Sequence, residues 1–124
     1  MNKDSGTSSL YYPIDKKLGE IYKTVKVPVF KLKDFFDIFD WDKFPIIEYI
    51  KIDAQGSDFD ILKGAGNYLK DNAVFITAEP ECNVYENCGH NSEDNIKEFL
   101  ESQIFEYIKH KNTKDPTFIN KKFI

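Results

Sequence analysis

The sequence has no apolar run long enough to cross a bilayer, and its polar start, MNKDSGTSS, lacks the apolar core of a secretory signal. These absences predict a cytoplasmic protein with no membrane partner. Cysteine is scarce as well: Cys82 and Cys88 are too few for a disulfide framework, and both stay thiols in a reducing compartment. An excess of positive charge is also missing, because the net charge is -4, so we expect no nucleic-acid partner.

The composition is that of one soluble globular domain. Of the 124 residues, 41% are hydrophobic and 31% are charged, which is the balance of a chain that buries a core and stays in solution. This length is sufficient for a core but is shorter than most complete enzymes of the class considered below. The size therefore raises the expectation of a partial enzyme.

The first half of the chain predicts strands followed by a helix. Residues 24–30, TVKVPVF, alternate valines with polar residues and a proline, which favours a half-buried edge strand. A short helical turn is predicted within residues 33–40, KDFFDIFD. Residues 46–52, IIEYIKI, form a β-branched and aromatic run typical of a strand covered on both faces. Beyond this strand the apolar spacing becomes helical, with Ser57 as N-cap and Asp60 completing a capping box.

The second half repeats the order of strand and helix and then predicts a hairpin. Residues 73–79, AVFITAE, form a second apolar strand that ends in an acid. A helix with one apolar stripe follows, capped by Ser92 or Asn91. The segments 105–110 and 117–124 are most simply joined as an antiparallel hairpin. Strands that alternate with helices predict an α/β fold with a largely parallel sheet.

Two acidic residues, Asp53 and Glu79, follow the two apolar strands directly. Ligands of such sheets bind beyond the carboxyl ends of the strands, so neighbouring strands would bring both carboxylates to one edge. Gln55 and Gly56 lie beside them in the chain, and a glycine there permits a sharp turn or a close approach of a ligand. An acid after a buried strand is equally typical of a solvated strand end or a helix cap, and Asp53 taken alone fits that interpretation as well.

The segment IEYIKIDAQGSDFDILKGA, residues 47–65, carries a pattern that periodicity does not explain. It resembles the signature of the FkbM family of S-adenosylmethionine-dependent methyltransferases, which reads as an apolar run, Leu-Lys-Ile-Asp-Val-Glu-Gly, an acidic helix start and Leu-Lys-Gly-Ala. The flanking segments GTSSL (6–10), VKVPVFKLKDFF (25–36) and VFITAEPE (74–81) are similar to family segments in the same order. The shared positions of the signature are Ile50, Lys51, Ile52, Asp53, Gly56, Leu62, Lys63, Gly64 and Ala65.

The resemblance implies a partial Rossmann-like sheet of the class I methyltransferase type, with mostly parallel strands, flanking helices and a C-terminal antiparallel hairpin. It implies S-adenosylmethionine as the cofactor of the complete enzyme and O-methyl transfer to a hydroxyl of a sugar or small metabolite. It nominates Asp53 first and Glu79 second as catalytic residues, because a carboxylate can assist the departure of the hydroxyl proton. Asp53, Gln55 and Gly56 are the expected cofactor-binding residues.

The acceptor side is assigned to Ser8, Ser9 and His90, the last of which could also act as a general base. No metal site is expected, because the spacing of Cys82, Cys88 and His90 matches no common zinc pattern.

The sequence departs from the family pattern in three respects. Gln55 replaces the usual glutamate, and Lys33 replaces an acid beside the retained Asp34. The family's first strand, its glycine-rich cofactor turn and the acid that holds the cofactor ribose have no counterpart here. We therefore expect residues 1–124 to be the C-terminal portion of such a domain, without the cofactor-binding N-terminal half. The strand starting near Ile46 would then expose an apolar edge, available to a complementary chain or to self-association.

Two other interpretations compete with a methyltransferase. A catalytically silent remnant that serves as an interaction or oligomerisation module would have the same exposed edge. The segment IKIDAQG also fits the DxxG pattern of nucleotide switch proteins, and NKKF faintly resembles their guanine-reading motif. The switch-protein interpretation fails because Phe123 replaces the final aspartate of that motif and no GxxxxGK[ST] loop is present.

The two interpretations of Asp53 predict different effects of Asp53→Asn. If Asp53 acts at the site, the substitution in a complete enzyme cuts turnover far more than it lowers the melting temperature, and this is the outcome we expect. Parallel measurements of turnover and thermal unfolding check it. Equal losses of fold and activity would identify Asp53 as a structural cap.

Overall fold

The computed structural model describes residues 8–14, 21, 23–108 and 114–124. The parts of the segments GTSSL and FEYIKH at residues 6–7 and 109–110 lie outside the described residues. The secondary structure, in chain order, is α1 (Leu32–Asp37), β1 (Ile47–Ile52), α2 (Asp58–Lys63), α3 (Tyr68–Asn72), β2 (Ala73–Ala78), α4 (Glu93–Ser102), β3 (Phe105–Ile108), β4 (Thr117–Asn120) and a final 3-10 turn (Lys121–Phe123).

The four strands form one mixed sheet in the order β1-β2-β4-β3. β1 and β2 are parallel, and their pairing extends to Ile52 opposite Ala78. β4 pairs antiparallel with both β2 and β3, which confirms the predicted hairpin. The expectation of a mostly parallel sheet is wrong for the described residues, because the hairpin brings β4 back beside β2 and makes two of the three strand pairings antiparallel.

β2 is a central, buried strand. β1 is more exposed than the sequence predicts. Ala73, Ile76 and Ala78 of β2 are fully buried in the main apolar core. In β1 only Ile52 is buried, and Tyr49 is 54% exposed. The expectation that β1 is covered on both faces is therefore wrong. Within the described residues β1 pairs with β2 alone and lies at the end of the sheet, as predicted for the exposed edge.

Residues 24–30, predicted as an edge strand, belong to no strand of the sheet. Their valines are exposed, from 44% at Val25 to 71% at Val29. Alternation of apolar and polar residues favours an extended chain, but a strand also needs a neighbouring backbone to bond. The segment runs extended into α1, which confirms the short helix predicted within residues 33–40.

The helical pattern after Asp53 forms two helices instead of one. The break lies at Gly66, whose φ of +63° is a left-handed conformation that glycine adopts without strain. The predicted capping box is wrong: Ser57 makes no side-chain cap bond, and its buried hydroxyl has no hydrogen-bond partner in the described part of the chain. The Ser92 cap of α4 is confirmed, since its Oγ accepts a 3.2 Å hydrogen bond from the backbone N–H of Asn95.

Buried Asn120 fixes the start of β2, at the opposite end of that strand from Glu79. Its side-chain amide donates hydrogen bonds to the carbonyl oxygens of Lys70 at 2.9 Å and Ala73 at 2.8 Å. These bonds attach β4 to the junction of α3 and β2. In the described part of the chain, no helix has the length and apolarity needed to traverse a bilayer.

Candidate functional site

The parallel pairing of β1 with β2 brings two acidic side chains together where both strands end. Because Ile52 lies opposite Ala78, the next residues, Asp53 and Glu79, leave the sheet side by side. The Asp53 carboxyl is near enough to raise the pKa of Glu79. The predicted convergence of these two side chains is therefore confirmed as geometry.

Two further acids, Glu81 and Asp115, surround this pair, and we call the four residues the carboxylate rim. Burial raises the pKa of Glu79 to about 7, and the neighbouring carboxyl of Asp53 adds to the rise, as do the charges of Asp115 and Glu81. Burial also raises the pKa of Glu81, with smaller contributions from Asp53 and other acids. One member of the rim thus exchanges its proton near neutral pH.

Asp58 is a functional candidate that the sequence analysis missed. It is the first residue of α2 and is fully buried. Its Oδ1 accepts a 3.0 Å hydrogen bond from the N–H of Ala54, and its Oδ2 accepts a 2.8 Å bond from the N–H of Glu79. Burial raises its pKa, although these backbone hydrogen bonds oppose the rise. The sequence signal that could have found Asp58 is an acid at the helix start, beside Ser57 and Asp60, which the sequence pattern predicts as the capping box.

Gln55 links Asp53 to the rest of the site. Its side-chain N–H donates to Asp53 Oδ1 at 2.7 Å, and its Oε1 accepts from the Tyr85 hydroxyl at 2.6 Å. Its carbonyl oxygen accepts from Ser9 Oγ at 2.5 Å. Gln55 holds a left-handed φ of +48°, so its backbone turns away from the strand direction directly after Asp53.

Gly56 continues this turn with a φ of +101° and is packed against protein. A Cβ at this position would lie 3.1 Å from Tyr11 Cδ2 and 3.4 Å from side-chain atoms of Tyr85 and Cys88. The observed need for glycine is therefore the turn and the close packing of these side chains.

The loop after β2 covers the strand ends and is held by backbone contacts. Ile14 N–H donates to Val84 C=O at 2.9 Å, and Glu86 N–H donates to Tyr12 C=O at 2.7 Å. Buried Cys88, one of two free cysteines, directs its thiol to the carbonyl oxygens of Glu81 and Tyr85. Burial, followed by nearby acids, raises the pKa of Tyr85 to about 12, so its hydroxyl stays a hydrogen-bond donor to Gln55.

His90 belongs to a second polar cluster. Its Nε2 lies 2.8 Å from Asp60 Oδ2 and 3.3 Å from the Tyr11 hydroxyl, which itself donates to Asp60 Oδ2 at 3.0 Å. Burial opposes ionisation of Asp60, yet these hydrogen bonds hold its pKa below the usual range. The His90 ring thus bonds Asp60 and Tyr11 rather than Asp53 or Glu79.

A groove of about 1040 Å³ separates residues 24–32 from α2. Ser8 and Ser9 line it, together with Ala54, the residue that follows Asp53. The Ser9 hydroxyl is engaged by Gln55, whereas the Ser8 hydroxyl is buried without a hydrogen-bond partner among the described residues. Aliphatic, proline and aromatic residues make up most of the groove walls, so its chemistry is mostly apolar.

The described residues contain no cluster of three or more histidine, cysteine, aspartate or glutamate side chains that could hold a metal ion. The site is instead a set of acids at the ends of two parallel strands of a mixed α/β sheet. A family model described as "Methyltransferase FkbM domain" matches residues 2–113. The chain belongs to this family, as the resemblance implied. No curated protein and no solved structure matches it.

The packing around Gly56 predicts a specific cost for Gly56→Ala. A left-handed φ and the 3.1 Å approach to Tyr11 should together lower the free energy of unfolding by about 1 to 3 kcal/mol. Urea unfolding of the two proteins measures this loss. The control is Gly89→Ala in the loop between β2 and α4, where an added Cβ meets nothing within 4 Å. Equal losses in both variants would contradict the assignment.

The raised pKa of Glu79 predicts how stability depends on pH. Its ordinary value is 4.5 and its value in the folded chain is about 7, so between these pH values the folded state keeps a proton that the unfolded state has lost. The free energy of unfolding therefore falls as pH rises through this window. Glu79→Gln should flatten this fall and make the variant more stable than the parent at about pH 8, by on the order of 1 kcal/mol after solvent screening.

Urea unfolding at about pH 5 and about pH 8 tests this sign. Glu48→Gln on exposed β1 is the matched control and should leave the pH dependence of the parent intact. A Glu79→Gln variant with the parent's pH dependence would show that Glu79 is not the group that titrates.

Proposed function

We propose that this chain is the rim-bearing part of an S-adenosylmethionine-dependent O-methyltransferase, in which Glu79 acts as general base. The observation that carries the proposal is the Asp53–Glu79 pair, with the pKa of Glu79 raised to about 7, in a chain of the FkbM methyltransferase family. A base is most effective when its pKa lies near the working pH. This consideration places Glu79 ahead of Asp53 for proton transfer, whereas the sequence alone favoured Asp53.

The chemistry of the rim suits a cationic cofactor. S-adenosylmethionine carries a positive sulfonium and an ammonium group, and the rim presents four acids, Asp53, Glu79, Glu81 and Asp115. In this proposal Asp53 and Gln55 hold the cofactor, and the hydrogen bond from Gln55 fixes the direction of the Asp53 carboxylate. Gly56 continues the turn that begins at Gln55 and is packed against Tyr11, so in this proposal it shapes the site without contacting the cofactor.

When bound at the rim, S-adenosylmethionine would supply an electrophilic methyl group for the acceptor oxygen and would leave as the neutral thioether. The protein's part is to align the acceptor hydroxyl and to remove its proton. Glu79, when ionised, accepts this proton on a carboxyl oxygen. The adjacent Asp53 raises the basicity of Glu79, because a second negative charge close by favours the protonated form.

The acceptor we propose is a hydroxyl of a sugar or small metabolite. Ser8, whose hydroxyl has no hydrogen-bond partner among the described residues, lies beside the groove and is the strongest of the predicted acceptor residues. The Ser9 hydroxyl is committed to the Gln55 carbonyl, so Ser9 acts by shaping the turn. His90 is bonded to Asp60 and contacts the rings of Tyr11 and Phe59, so it is the weakest of the three.

The edge position of β1, which has one neighbouring strand among the described residues, supports a requirement for a complementary chain. Tyr49 of β1 and the preceding Ile46 are about half exposed, and a further strand bonded to β1 would extend the sheet and add a second wall beside Asp53. We therefore propose that residues 1–124 work as the C-terminal portion of the catalytic domain. The same edge supports the second candidate function, a catalytically silent interaction module, or self-association through β1.

Titration of Glu79 in the presence of cofactor tests the proposal. NMR of the labelled Glu79 carboxyl carbon follows its pKa with S-adenosylmethionine and, as the matched control, with S-adenosylhomocysteine, which lacks the sulfonium charge. The sulfonium should lower the pKa of Glu79, and the neutral thioether should change it less. Identical titrations with both ligands would contradict the placement of the cofactor at the rim.

Calorimetric titration of the same chain tests the need for a complementary part. One wall of a site should bind S-adenosylmethionine more weakly than micromolar affinity, which corresponds to about -8 kcal/mol. Micromolar binding by this chain alone would contradict both the half-site and the silent-module interpretations.

A further inference from the structure

We propose that Asp58 is a positioning residue for the Asp53–Glu79 pair: its buried carboxylate binds one backbone amide at the end of each parallel strand and sets the separation of the two acidic side chains. The catalytic meaning of this inference rests on the proposed function. Its structural content does not, because it concerns hydrogen bonds between described residues.

The geometry of Asp58 is that of a bridge between strands. One carboxyl oxygen lies 3.0 Å from the Ala54 nitrogen and the other lies 2.8 Å from the Glu79 nitrogen. The two oxygens have a fixed covalent separation, so one planar group determines the distance between the two amides. Ala54 follows Asp53 directly, and the second amide is that of Glu79 itself. Both rim residues are therefore attached to the same anchor.

A bridge is needed because the regular ladder stops one residue earlier. The last paired residues of β1 and β2 are Ile52 and Ala78, and three residues beyond Ile52 the chain turns with the left-handed φ of Gln55. Two carboxylates at this point repel each other when both are ionised. The bonds to Asp58 oppose that separation without using either rim side chain.

Burial argues that this bridge is more than a surface contact. Asp58 has no exposed surface, and a buried carboxylate costs free energy unless it is hydrogen-bonded. Buried Asn91 reinforces the same region, since its Oδ1 accepts a 2.8 Å bond from the N–H of Phe59, the residue after Asp58. The start of α2 is thus fixed against the loop after β2 as well as against both strands.

The decisive readouts are the amides of Ala54 and Glu79 and the titration of Glu79, all followed by NMR on the full chain. In the parent both amides should exchange slowly with solvent. Asp58→Asn keeps the size of the side chain but retains one acceptor oxygen, so its NH2 group faces the second amide. We expect exchange of at least one of the two amides to quicken about tenfold or more, and the pKa of Glu79 to fall by about one unit as Asp53 moves away.

Two control variants separate positioning from other effects. Glu81→Gln removes a negative charge near Glu79 and leaves the bridge intact, so it should lower the pKa of Glu79 without changing amide exchange at Ala54 or Glu79. Asn120→Ala removes a buried bridge at the opposite end of β2 and should destabilise the chain while leaving both amides protected.

The inference is overturned if Asp58→Asn leaves both amides and the Glu79 titration unchanged, or if Asn120→Ala changes them equally. If Asp58→Asn does not fold, amide exchange in the unsubstituted chain is the test. Fast exchange of the Ala54 or the Glu79 amide in that protein would contradict the bridge. None of these readouts depends on cofactor. If both amides are protected but S-adenosylmethionine does not change the pKa of Glu79, the result contradicts the proposed function and leaves the bridge standing.

Discussion

The parallel pairing of β1 with β2 is the interaction on which the site depends. It sets Ile52 opposite Ala78, and everything at the rim follows from the residues that come next in each strand. β2 is also paired with β4 and is buried in the core, so it is the fixed partner, whereas β1 has a neighbour on one side only within the described residues. The position of Asp53 therefore depends on β2, through the hydrogen bonds between the two strands and through the bonds that Asp58 accepts from Ala54 and Glu79.

Electrostatics and packing act against each other at this point of the sheet. Burial of Glu79, followed by its position beside Asp53, Asp115 and Glu81, raises the free energy of its ionised form, which is why its pKa is raised to about 7. The surrounding hydrogen bonds, from Gln55 to Asp53 and from two amides to Asp58, hold the backbone in place despite that repulsion. A stability cost concentrated on a few side chains in this way is typical of functional sites.

Sequence reasoning could bring Asp53 and Glu79 together because the ends of neighbouring parallel strands meet whatever the detail of the loops. Asp53 and Glu79 could be placed in this manner, and the Ser92 cap and the hairpin followed from equally local signals. Residues 24–30 were misjudged because alternation cannot show whether a partner strand exists. Asp58 was missed because its second partner, the Glu79 amide, lies 21 residues away, and only the folded chain shows that contact.

The rim is assembled from stretches that lie far apart in the chain, and this has a consequence for folding. Ser9 bonds Gln55 across 46 residues, and Thr77 bonds Thr117 across 40. Each such contact closes a long loop, whose entropy must be lost before the contact contributes any stability. The chain should thus form its helices and the hairpin early and the carboxylate rim last. The slow, late steps of refolding should therefore report on the formation of the site.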